Sequence, residues 1–576
     1  MAQTSRGDCS RRSAASWRTG LAAVVIGVAL AGHPIDVGAA SAPPPPPAKP
    51  VPSDSDVAAV GPSSFAFASD PRGAVALAMR PPVLAPLPPG PKPAAPRLTE
   101  AELIARAGFQ PDQVGFLVHD LETGETVASH NADQAAFIPA SVLKVPTAVA
   151  ARAILGPGHR FRTEVRFEGT RTGPVWNGTL ALVGGGDPVL ESDDLRRLVA
   201  TLKAAGLERL DGRFVYDDSA LIGAPVIEPT QPPEHAYNPG LSALTLDFNR
   251  VRVQWRGDAV DLVKVYGTPV EGVPIRLRRD TDTAGWSRAG PALRHEFAGA
   301  DARDPGGAVT ERWALSPYAP RDGALWLPVK APAPFVAAVF RAVAAEAGVV
   351  LPEPEAAEGP ARGVTVAFHR SPRLDVILAS GLKHSNNLLA ELVGLAATRH
   401  LEGRPLALAD SAARLETWLA EAMPWVDWTG FHMANHSGLS PASRASPDQL
   451  VSILRYAHDQ ARARGVSPFH ALLPDRHFPD PESTVVAAGV RVGSLTPRVA
   501  AKSGTVYHGR GLSGIAMGRS GHRLVFAVFT SDVTARQRFD EGYLHYSGRA
   551  VSRARAQLGR ARDLEHALLL TWISEH

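Results

Sequence analysis

The sequence predicts an α/β (α+β) fold that is interrupted by a large β-rich insertion forming one or two extra domains. Two observations lead to this prediction. A helix, a strand hairpin and a second, strongly apolar helix follow one another before residue 169, and helices and strands of the same kind resume after residue 361. The residues between them alternate mainly with a period of two, which is typical of strands.

The length and composition indicate a globular protein with more than one domain. A chain of 576 residues is too long for a single ordinary core, and its 45% hydrophobic and 20% charged residues fit a globular chain. The formal net charge of +3 comes mostly from the first 40 residues, because residues 41–576 contain 56 basic and 55 acidic side chains. This balance excludes the basic footprint of a nucleic-acid-binding protein.

Residues 1–40 are predicted to be an export signal. A basic segment ending at Arg18 precedes the apolar run 21–31, and small residues at 37–42 offer a cleavage site. Eleven apolar residues are too few to span a bilayer, so we expect a periplasmic or cell-envelope protein, associated with the membrane only if the signal stays uncleaved. The only cysteine, Cys9, lies in this segment, which predicts a mature chain with no disulfide, thiolate metal site or cysteine nucleophile.

Residues 41–97 are predicted to be a proline-rich, disordered linker. They contain 17 of the 51 prolines of the chain, including five in a row from Pro43. Such a stretch is extended and builds little core, so we interpret it as a spacer. The folded part is expected to begin near Leu98.

Residues 98–168 and 362–576 are predicted to form one discontinuous catalytic domain. The segment LTEAELIARAGF, from Leu98, predicts a short helix. The segment VGFLVHDLETGETVASHN predicts two strands around a turn at Gly124. The next helix begins at SVLKVPTAVAARAIL, and GVTVAFHR, after Arg362, predicts a further strand before more helices.

Residues 169–361 are predicted to form the inserted, mainly β domain or domains, with one clear helix. That helix is ESDDLRRLVATLKAAG, where Ser192 is expected to cap the start and Gly206 the end. GRFVYDD predicts a strand after it. ALTLDFNRVRVQW and VDLVKVYGTPVEGVPIRLRR predict further sheet.

Ser141 and Lys144 are the first candidates for chemistry. On a helix, residues i and i+3 share a face, so the lysine amine can take the serine proton if it is neutral. Burial and neighbouring cations lower a lysine pKa enough to allow this. Pro146 is awkward in a regular helix because it removes a backbone hydrogen bond. The alternative is a helix cap followed by a surface lysine, and a lone S-x-x-K occurs by chance in many proteins.

Two further motifs supply the partners that a serine nucleophile needs. Ser385 and Asn387 form an S-x-N at the head of an apolar helix, where both residue types are also favoured as caps. Lys502, Ser503 and Gly504 form a K-S-G before the β run HRLVFAVF, where the alternative is a strand end with a turn glycine. A strand at K-S-G would let its backbone pair with an extended substrate.

Together the three motifs resemble the set found in class A β-lactamases and penicillin-binding proteins. From about Ala101 to about Ala554 the chain is similar to the D-alanyl-D-alanine carboxypeptidase/endopeptidase family, peptidase family S13, the type-4 class of low-molecular-mass penicillin-binding proteins. The spacing is diagnostic, because Ser385 follows Ser141 by 244 residues and class A β-lactamases keep these motifs closer. The segments that carry the resemblance are IPASVLKVPTA, GTLALVGGGDPVLESDDLRRLVATLKAAG, GRFVYDDSAL, KHSNNLLAELV, NHSGLSPASRASPDQL and AAKSGT.

The resemblance implies a penicillin-binding-protein/β-lactamase-like transpeptidase fold and a serine-type D-Ala-D-Ala carboxypeptidase or D,D-endopeptidase. Its substrates would be peptidoglycan stem peptides, and β-lactam antibiotics would inhibit it covalently. It implies an acyl-enzyme on Ser141, Lys144 as its base and Ser385 as proton relay. No metal or cofactor is expected.

The resemblance also implies a set of substrate-binding residues. Asn387 would hold the acyl-side amide. The terminal carboxylate would meet Lys502 and Ser503, and Gly504 belongs to the same motif. Thr505 and Ser141 would supply the oxyanion N–H groups. Asp217, or Asp218 beside it, would bind an amine on the peptide stem, with a solvated turn as the alternative.

The chain departs from the family pattern at three places. Asn435-His436 stands where Asp-Gly is common before S-G-L-S, Pro441 stands where some relatives have arginine, and Ser503 replaces threonine. These changes concern substrate recognition. His384 and His436 are expected to have structural or peripheral roles. The alternatives are a β-lactamase or esterase on the same scaffold, and a non-catalytic peptidoglycan-binding protein.

A chain that begins at Leu98 is predicted to fold and to bind penicillin as well as the full mature chain. Proline-rich sequence adds little apolar burial, so its loss should change the melting temperature by no more than about 2 °C. Calorimetry and titration with fluorescent penicillin test this. A clearly lower melting temperature would show that residues 41–97 pack on the folded part.

Overall fold

The computed structural model describes residues 98–263, 268–296, 310–476 and 498–576. The predicted signal at 1–40, the linker at 41–97 and Cys9 lie outside these ranges. Part of the predicted sheet segment VDLVKVYG also lies outside them. Within the described residues, no helix is both long enough and apolar enough to cross a membrane.

The strands are, in chain order, β1 (Val114–Asp120), β2 (Thr126–His130), β3 (Arg162–Thr172), β4 (Val175–Val183), β5 (Arg209–Asp217), β6 (Arg250–Arg256), β7 (Ala259–Val263), β8 (Ile275–Arg279), β9 (Leu293–Glu296), β10 (Glu311–Leu315), β11 (Asp322–Pro328), β12 (Pro354–Ala356), β13 (Val364–Arg370), β14 (Asp475–Arg476), β15 (Val499–Val506), β16 (Gly509–Met517) and β17 (Arg523–Ser531). The helices are α1 (Glu100–Arg106), α2 (Lys144–Leu155), α3 (Ser192–Ala204), α4 (Pro332–Glu346), α5 (Leu374–His384), α6 (Asn387–Glu402), α7 (Leu408–Ala422), α8 (Pro447–Ala463), α9 (Val533–Glu541) and α10 (Gly548–Glu575).

A six-stranded antiparallel sheet in the order β14-β15-β16-β17-β1-β2 joins the two ends of the described chain. β17 is apolar from Leu524 to Phe529, where both of its faces are buried. Val525, Ala527 and Phe529 pack with α2, α5, α6, α7 and α8, whereas Leu524, Phe526 and Val528 pack with α1 and α10. Strand alternation therefore places helices on both faces of the sheet.

In its described residues, the β-rich insertion contains three sheets and two α-helices. A five-stranded sheet has the order β12-β5-β4-β3-β13, and two three-stranded sheets have the orders β11-β6-β7 and β8-β10-β9. Residues of these sheets share a core with α3 and α4. The five-stranded sheet extends beyond the predicted limits of 169–361, because β3 begins at Arg162 and pairs with β13, which ends at Arg370.

Three local predictions for the insertion were wrong. The segment holds a second helix, α4, whose mean composition is so apolar that no polar face marks it in the sequence. Glu191, not Ser192, is the N-cap of α3, and the Ser192 hydroxyl instead donates to Asp247. The segment ALTLDFNRVRVQW is a strand only from Arg250, because the residues 247–249 all adopt positive φ angles.

Candidate active site

The turn that carries Ser141 precedes α2 directly. Residues Ala140–Leu143 form a single 3₁₀ turn, and Ala140 has a φ of 45°, which costs a non-glycine residue energy. A backbone hydrogen bond of 3.0 Å, from the Val142 N–H to the Pro139 carbonyl, stabilises the turn. Ser141 is thereby presented at the N-terminal end of a buried helix.

Lys144 lies one turn later and points its amine at Ser141. Its Nζ is 2.8 Å from Ser141 Oγ, 2.8 Å from Asn387 Oδ1 and 2.8 Å from the Ser437 carbonyl oxygen. The side chain is only 2% exposed. Burial lowers the pKa of Lys144 far below that of a solvated lysine, against the opposing charge of Glu391. A neutral amine in contact with a hydroxyl can act as its base.

Ser385 and Asn387 lie at the junction of α5 and α6. Ser385 ends α5 in the left-handed region, with a φ of 52°. Asn386, rather than either motif residue, caps α6 through a bond from the Leu389 N–H. The chain reversal leaves Asn387 free to face Lys144, while its Nδ2 donates to the Tyr237 carbonyl at 2.9 Å.

The K-S-G motif lies on β15, as predicted. Lys502 is 1% exposed, and burial, together with the nearby charges of Lys144 and Arg476, places its pKa well below the usual value. The hydroxyl of Ser503 accepts a bond from Arg476 at 2.7 Å, and that of Thr505 accepts one from Arg510 at 3.1 Å. The guanidinium groups of Arg476 and Arg510 therefore lie beside this motif.

Gly504 permits the close approach of β15 to the Ser141 turn. A Cβ at this position would lie 2.4 Å from the Pro139 carbonyl oxygen and 2.8 Å from the Ser141 nitrogen. Both neighbours are backbone atoms, which cannot move aside easily. Any side chain here would push the strand away from the turn, so the motif needs glycine at this position.

Part of this set lines one cleft with a volume of about 360 Å³, whereas Lys144, Lys502, Ser503 and Gly504 lie behind its surface lining. Ser141, Ser385, Asn387 and Thr505 come from the three motifs and their immediate neighbour. The insertion contributes the segment Gln231–Asn238, which we name the cleft loop. The remaining lining comes from the S-G-L-S loop and the C-terminal part of the chain, at Gly438, Leu439, Val506, Tyr507, Arg536, His545 and Leu558.

The cleft loop is held at its base and at its tip. At the base, Lys330 Nζ donates to the Asn238 carbonyl at 2.6 Å, and the Asn238 side chain accepts from the Ile227 and Glu228 N–H groups. At the tip, Glu234 accepts a hydrogen bond from the Tyr546 hydroxyl. The insertion thus reaches across the cleft to the C-terminal region.

The structure does not bring Asp217 to the cleft. Its carboxylate accepts the N–H groups of Ala361 at 2.7 Å and Ser219 at 2.9 Å, and the residue is 5% exposed. Asp218 accepts from the Ser242 hydroxyl. The cleft lining includes neither carboxylate. In the sequence, both aspartates look equally suited to bind an amine. In the structure, backbone N–H groups donate to Asp217 and a serine hydroxyl donates to Asp218.

The two histidines near the motifs lie apart from Ser141's hydrogen bonds. His436 is buried, its Nε2 is 2.8 Å from Ser411 Oγ, and burial lowers its pKa to about 3. His384 is the last residue of α5, and burial lowers its pKa as well. The buried His436 ring is therefore neutral at pH 7.

Sequence reasoning missed three charged residues of the site. Glu391 lies on α6, one turn after Asn387, and is fully buried. Arg476 belongs to the two-residue strand β14, and nothing in the local sequence marks it. Arg510 could have been found, because a hairpin through His508 places it opposite Thr505.

A group of metal-type side chains lies away from the cleft. Among the residues that the structure describes, Asp120, Glu122 and His522 hold ligand atoms within 4.8 Å of one another. They already pair within the protein, because His522 Nδ1 is 2.8 Å from Asp120 and Glu122 binds Arg523. None of them lines the cleft.

Comparison with known proteins identifies relatives that cover most of the folded part. The D-Ala-D-Ala carboxypeptidase 3 (S13) family model matches residues 101–542. A D-alanyl-D-alanine carboxypeptidase of Actinomadura sp. (strain R39) is 29% identical over 453 residues, which cover 72% of this chain and 77% of that protein. The matched region includes all three motifs.

Solved structures confirm the predicted fold. The crystal structure of penicillin binding protein 4 from Haemophilus influenzae aligns with a TM-score of 0.60 at 20% identity, covering 76% of this chain and 93% of the other. The same protein complexed with a novel β-lactam aligns with a TM-score of 0.58. At this identity the likeness concerns the fold alone.

Replacing Lys144 with arginine is predicted to lower the rate of acylation by penicillin by about 10²–10⁴-fold, because a guanidinium stays protonated and cannot take the serine proton. In the unchanged protein the rate should fall as the pH falls through the lowered pKa of Lys144. Stopped-flow measurement with fluorescent penicillin checks both effects. Lys383→Arg, an exposed lysine beside the S-x-N motif, is the matched control and should react at the normal rate. Acylation of Lys144→Arg at that same rate would mean that another group is the base.

Proposed function

The chain belongs to the D-Ala-D-Ala carboxypeptidase 3 (S13) family, and we propose that Ser141 is the nucleophile of its peptidase reaction. The substrate is a peptidoglycan stem peptide that ends in D-Ala-D-Ala, or a D-configured cross-link. The contact of 2.8 Å between Ser141 Oγ and the buried amine of Lys144 carries this proposal. No metal or cofactor takes part in the proposed steps.

In the first step, Ser141 Oγ forms a bond to the carbonyl carbon and its proton passes to Lys144. The carbonyl oxygen becomes an oxyanion that accepts the N–H groups of Ser141 and Thr505, each worth roughly 3–4 kcal/mol. Gly504 supports this role, because its lack of a side chain lets β15 lie against the Ser141 turn.

In the second step, the oxyanion re-forms the carbonyl and the bond between the carbonyl carbon and the leaving nitrogen breaks. Ser385 relays the proton held by Lys144 to the leaving amine, which returns Lys144 to its neutral form. Water then hydrolyses the ester on Ser141. Asn387 holds the acyl-side amide of the substrate. Its Nδ2 already donates to a carbonyl, that of Tyr237, so a substrate carbonyl would replace one acceptor of the same kind.

The terminal carboxylate of the substrate lies at Lys502 and Ser503 in this proposal. Arg476 strengthens the site, because it donates to the Ser503 hydroxyl at 2.7 Å and to the Ala501 carbonyl at 3.0 Å. Its side chain is thereby fixed beside the place where a carboxylate would bind. A fixed guanidinium is a strong partner for a carboxylate.

The other two functions lack a specific observation in their favour. A β-lactamase or esterase needs a rapid path for water to the acyl-enzyme, and the described residues around Ser141 offer no second base for it. A non-catalytic wall-binding protein would not need a neutral lysine amine in contact with a serine hydroxyl. Asp217 as a binder of the stem amine would require its two backbone donors to be released.

We further propose that residues 1–40 direct export and that the protein acts in the periplasm or cell envelope, where its substrate lies. The catalytic domain comprises 98–168 and 362–576 in this proposal, and residues 169–361 form the inserted domains. The pairing of β3 with β13 supports a wider insertion, from about residue 162 to about 370.

Labelled penicillin is predicted to form a covalent adduct on Ser141, and D-alanine release from a pentapeptide should require the same residue. Peptide mapping by mass spectrometry locates the adduct, and a coupled assay measures D-alanine. Ser141→Ala should lose both reactions and keep its melting temperature. Ser437→Ala is not a suitable control since Ser437 contacts Lys144, whereas Ser467→Ala is. An adduct at another residue would overturn the mechanism.

The cleft loop is predicted to act as a wall for long substrates. Replacing Gln231, His235 and Tyr237 together with alanine should reduce hydrolysis of a cross-linked peptide at least about ten-fold more than acylation by penicillin, because penicillin is too small to reach all of the loop. Val350→Ala, an exposed position of the insertion, is the control. Equal losses on the two substrates would assign the loop a scaffold role.

A further inference from the structure

Glu391 is a fully buried acid that none of the proposed steps uses. It lies on α6 four residues after Asn387, so the two side chains share one face of the helix. Asn387 Oδ1 accepts from Lys144 Nζ, and the charge of Glu391 acts on the same amine. A buried charge is costly unless it has a partner, so its place beside a buried lysine calls for a physical reason.

The carboxylate of Glu391 organises the loop Asn435–Gly438. Its two oxygens accept the N–H groups of His436 and Ser437, each at 2.9 Å. The carbonyl of Ser437 in turn accepts from Lys144 Nζ at 2.8 Å. Glu391 therefore holds the two peptides that directly precede the Ser437–Gly438 peptide, whose oxygen accepts from the amine.

Other bonds hold the remainder of this loop. Thr147 Oγ1, on α2, donates to the His436 carbonyl at 2.8 Å, and the Gly438 N–H donates to Asn435 Oδ1 at 2.9 Å. The loop would thus keep its general course without Glu391. What only the acid supplies is a pair of acceptors for the His436 and Ser437 N–H groups, directly before the peptide that contacts the amine, and a negative charge.

The groups around Lys144 show how the negative charge of Glu391 affects the protonation of the amine. Burial disfavours the Lys144 ammonium, while the charge of Glu391 favours it. Lys502 lies nearby, and burial together with the charges of Lys144 and Arg476 lowers its own pKa. Burial raises the pKa of Glu391, and its hydrogen bonds with the 436–437 segment and the charge of Lys144 oppose this. His436 lies beside Glu391, and burial keeps its ring neutral. The charge of Arg476 acts on the pKa of Lys502.

We propose that Glu391 is a positioning residue for the base. It aims Lys144 at Ser141 by holding the backbone at His436 and Ser437, which places the Ser437 carbonyl, and its charge stabilises the ammonium that forms when the Ser141 proton moves to Lys144. Without it, the lysine would be neutral over a wider pH range but would be a weaker base for the serine. The catalytic part of this inference rests on the function proposed above.

The test measures the pKa of Lys144 directly in the folded protein. With [¹³C]lysine labelling, the eight lysines of the chain give few Cε signals, and the signal lost in Lys144→Arg assigns Lys144. Glu391→Gln removes the charge and nearly keeps the shape. It should lower the pKa of Lys144 by on the order of one pH unit. An unchanged pKa in folded Glu391→Gln would overturn the proposal.

Acylation by penicillin provides the second readout. In Glu391→Gln the acidic limb of the pH–rate profile should move to lower pH, and the plateau should fall about ten-fold or more. A merely structural role would lower the plateau without moving the limb. The titration of Lys144 does not need an active enzyme, so a protein that fails to react with penicillin would refute the proposed function separately.

The insertion contains a matched control. Glu311 is also a buried acid beside a buried lysine, Lys330, and its Oε1 accepts the Lys330 N–H at 2.8 Å and the Ala331 N–H at 2.7 Å. Glu311→Gln should cost stability as Glu391→Gln does, but it should leave the Lys144 signal and the pH limb in place. A limb that moves equally in both variants would contradict a specific role for Glu391.

A variant that keeps the charge covers the case in which Glu391→Gln does not fold. Glu391→Asp is one methylene shorter but keeps the charge. It should therefore keep the pKa of Lys144 near its value in the unchanged protein, above that in Glu391→Gln, but aim the amine less well. We expect the acidic limb to stay near its normal position and the plateau to fall several-fold. A normal plateau in Glu391→Asp would show that the position of the carboxylate does not matter.

Discussion

The burial of the Lys144 amine is the constraint on which the rest of the site depends. An amine removed from water must find all of its hydrogen-bond partners within the protein. Here the partners are Ser141, Asn387 and the Ser437 carbonyl, which belong to three segments far apart in the chain. The neutral form of the lysine is therefore a property of the assembled fold, because water would reach the amine if any of the three segments moved away.

Close backbone packing holds these segments together. β15 touches the Ser141 turn at Gly504, and the S-G-L-S loop touches it at Gly438, where a Cβ would lie 1.9 Å from the Ala140 carbonyl oxygen. The turn itself contains Ala140 in a left-handed conformation. A strained turn persists only where its surroundings leave it no alternative, and the two glycines allow those surroundings to close on it.

The positive charges of the cleft are balanced by acids buried behind it. Arg510 donates to the Thr505 hydroxyl and also binds Glu565, a buried residue of α10, at 2.8 Å. Glu391 is likewise a buried acid behind the cleft, but it acts on Lys144 through its charge and through the backbone at His436 and Ser437. The acids keep the cations in place without facing the cleft, so an incoming carboxylate would meet donors rather than like charges. The C-terminal helix is in this way linked to the candidate active site.

The sequence alone determined the three motifs, the secondary structure that carries them and the presence of a β-rich insertion, because these depend on residue identity and local periodicity. Only the tertiary structure decided which side chains meet. Glu391 looked like one more residue of an apolar helix, Arg476 and the cleft loop have no local signature, and α4 has no polar face to mark it. Asp217 shows the converse. Its carboxylate is of a type suited to binding an amine, but it accepts hydrogen bonds from nearby backbone N–H groups instead. Contacts between residues more than a hundred positions apart depend on the path of the whole chain, and hydrophobic periods of two or 3.6 residues encode only which face of an element is buried.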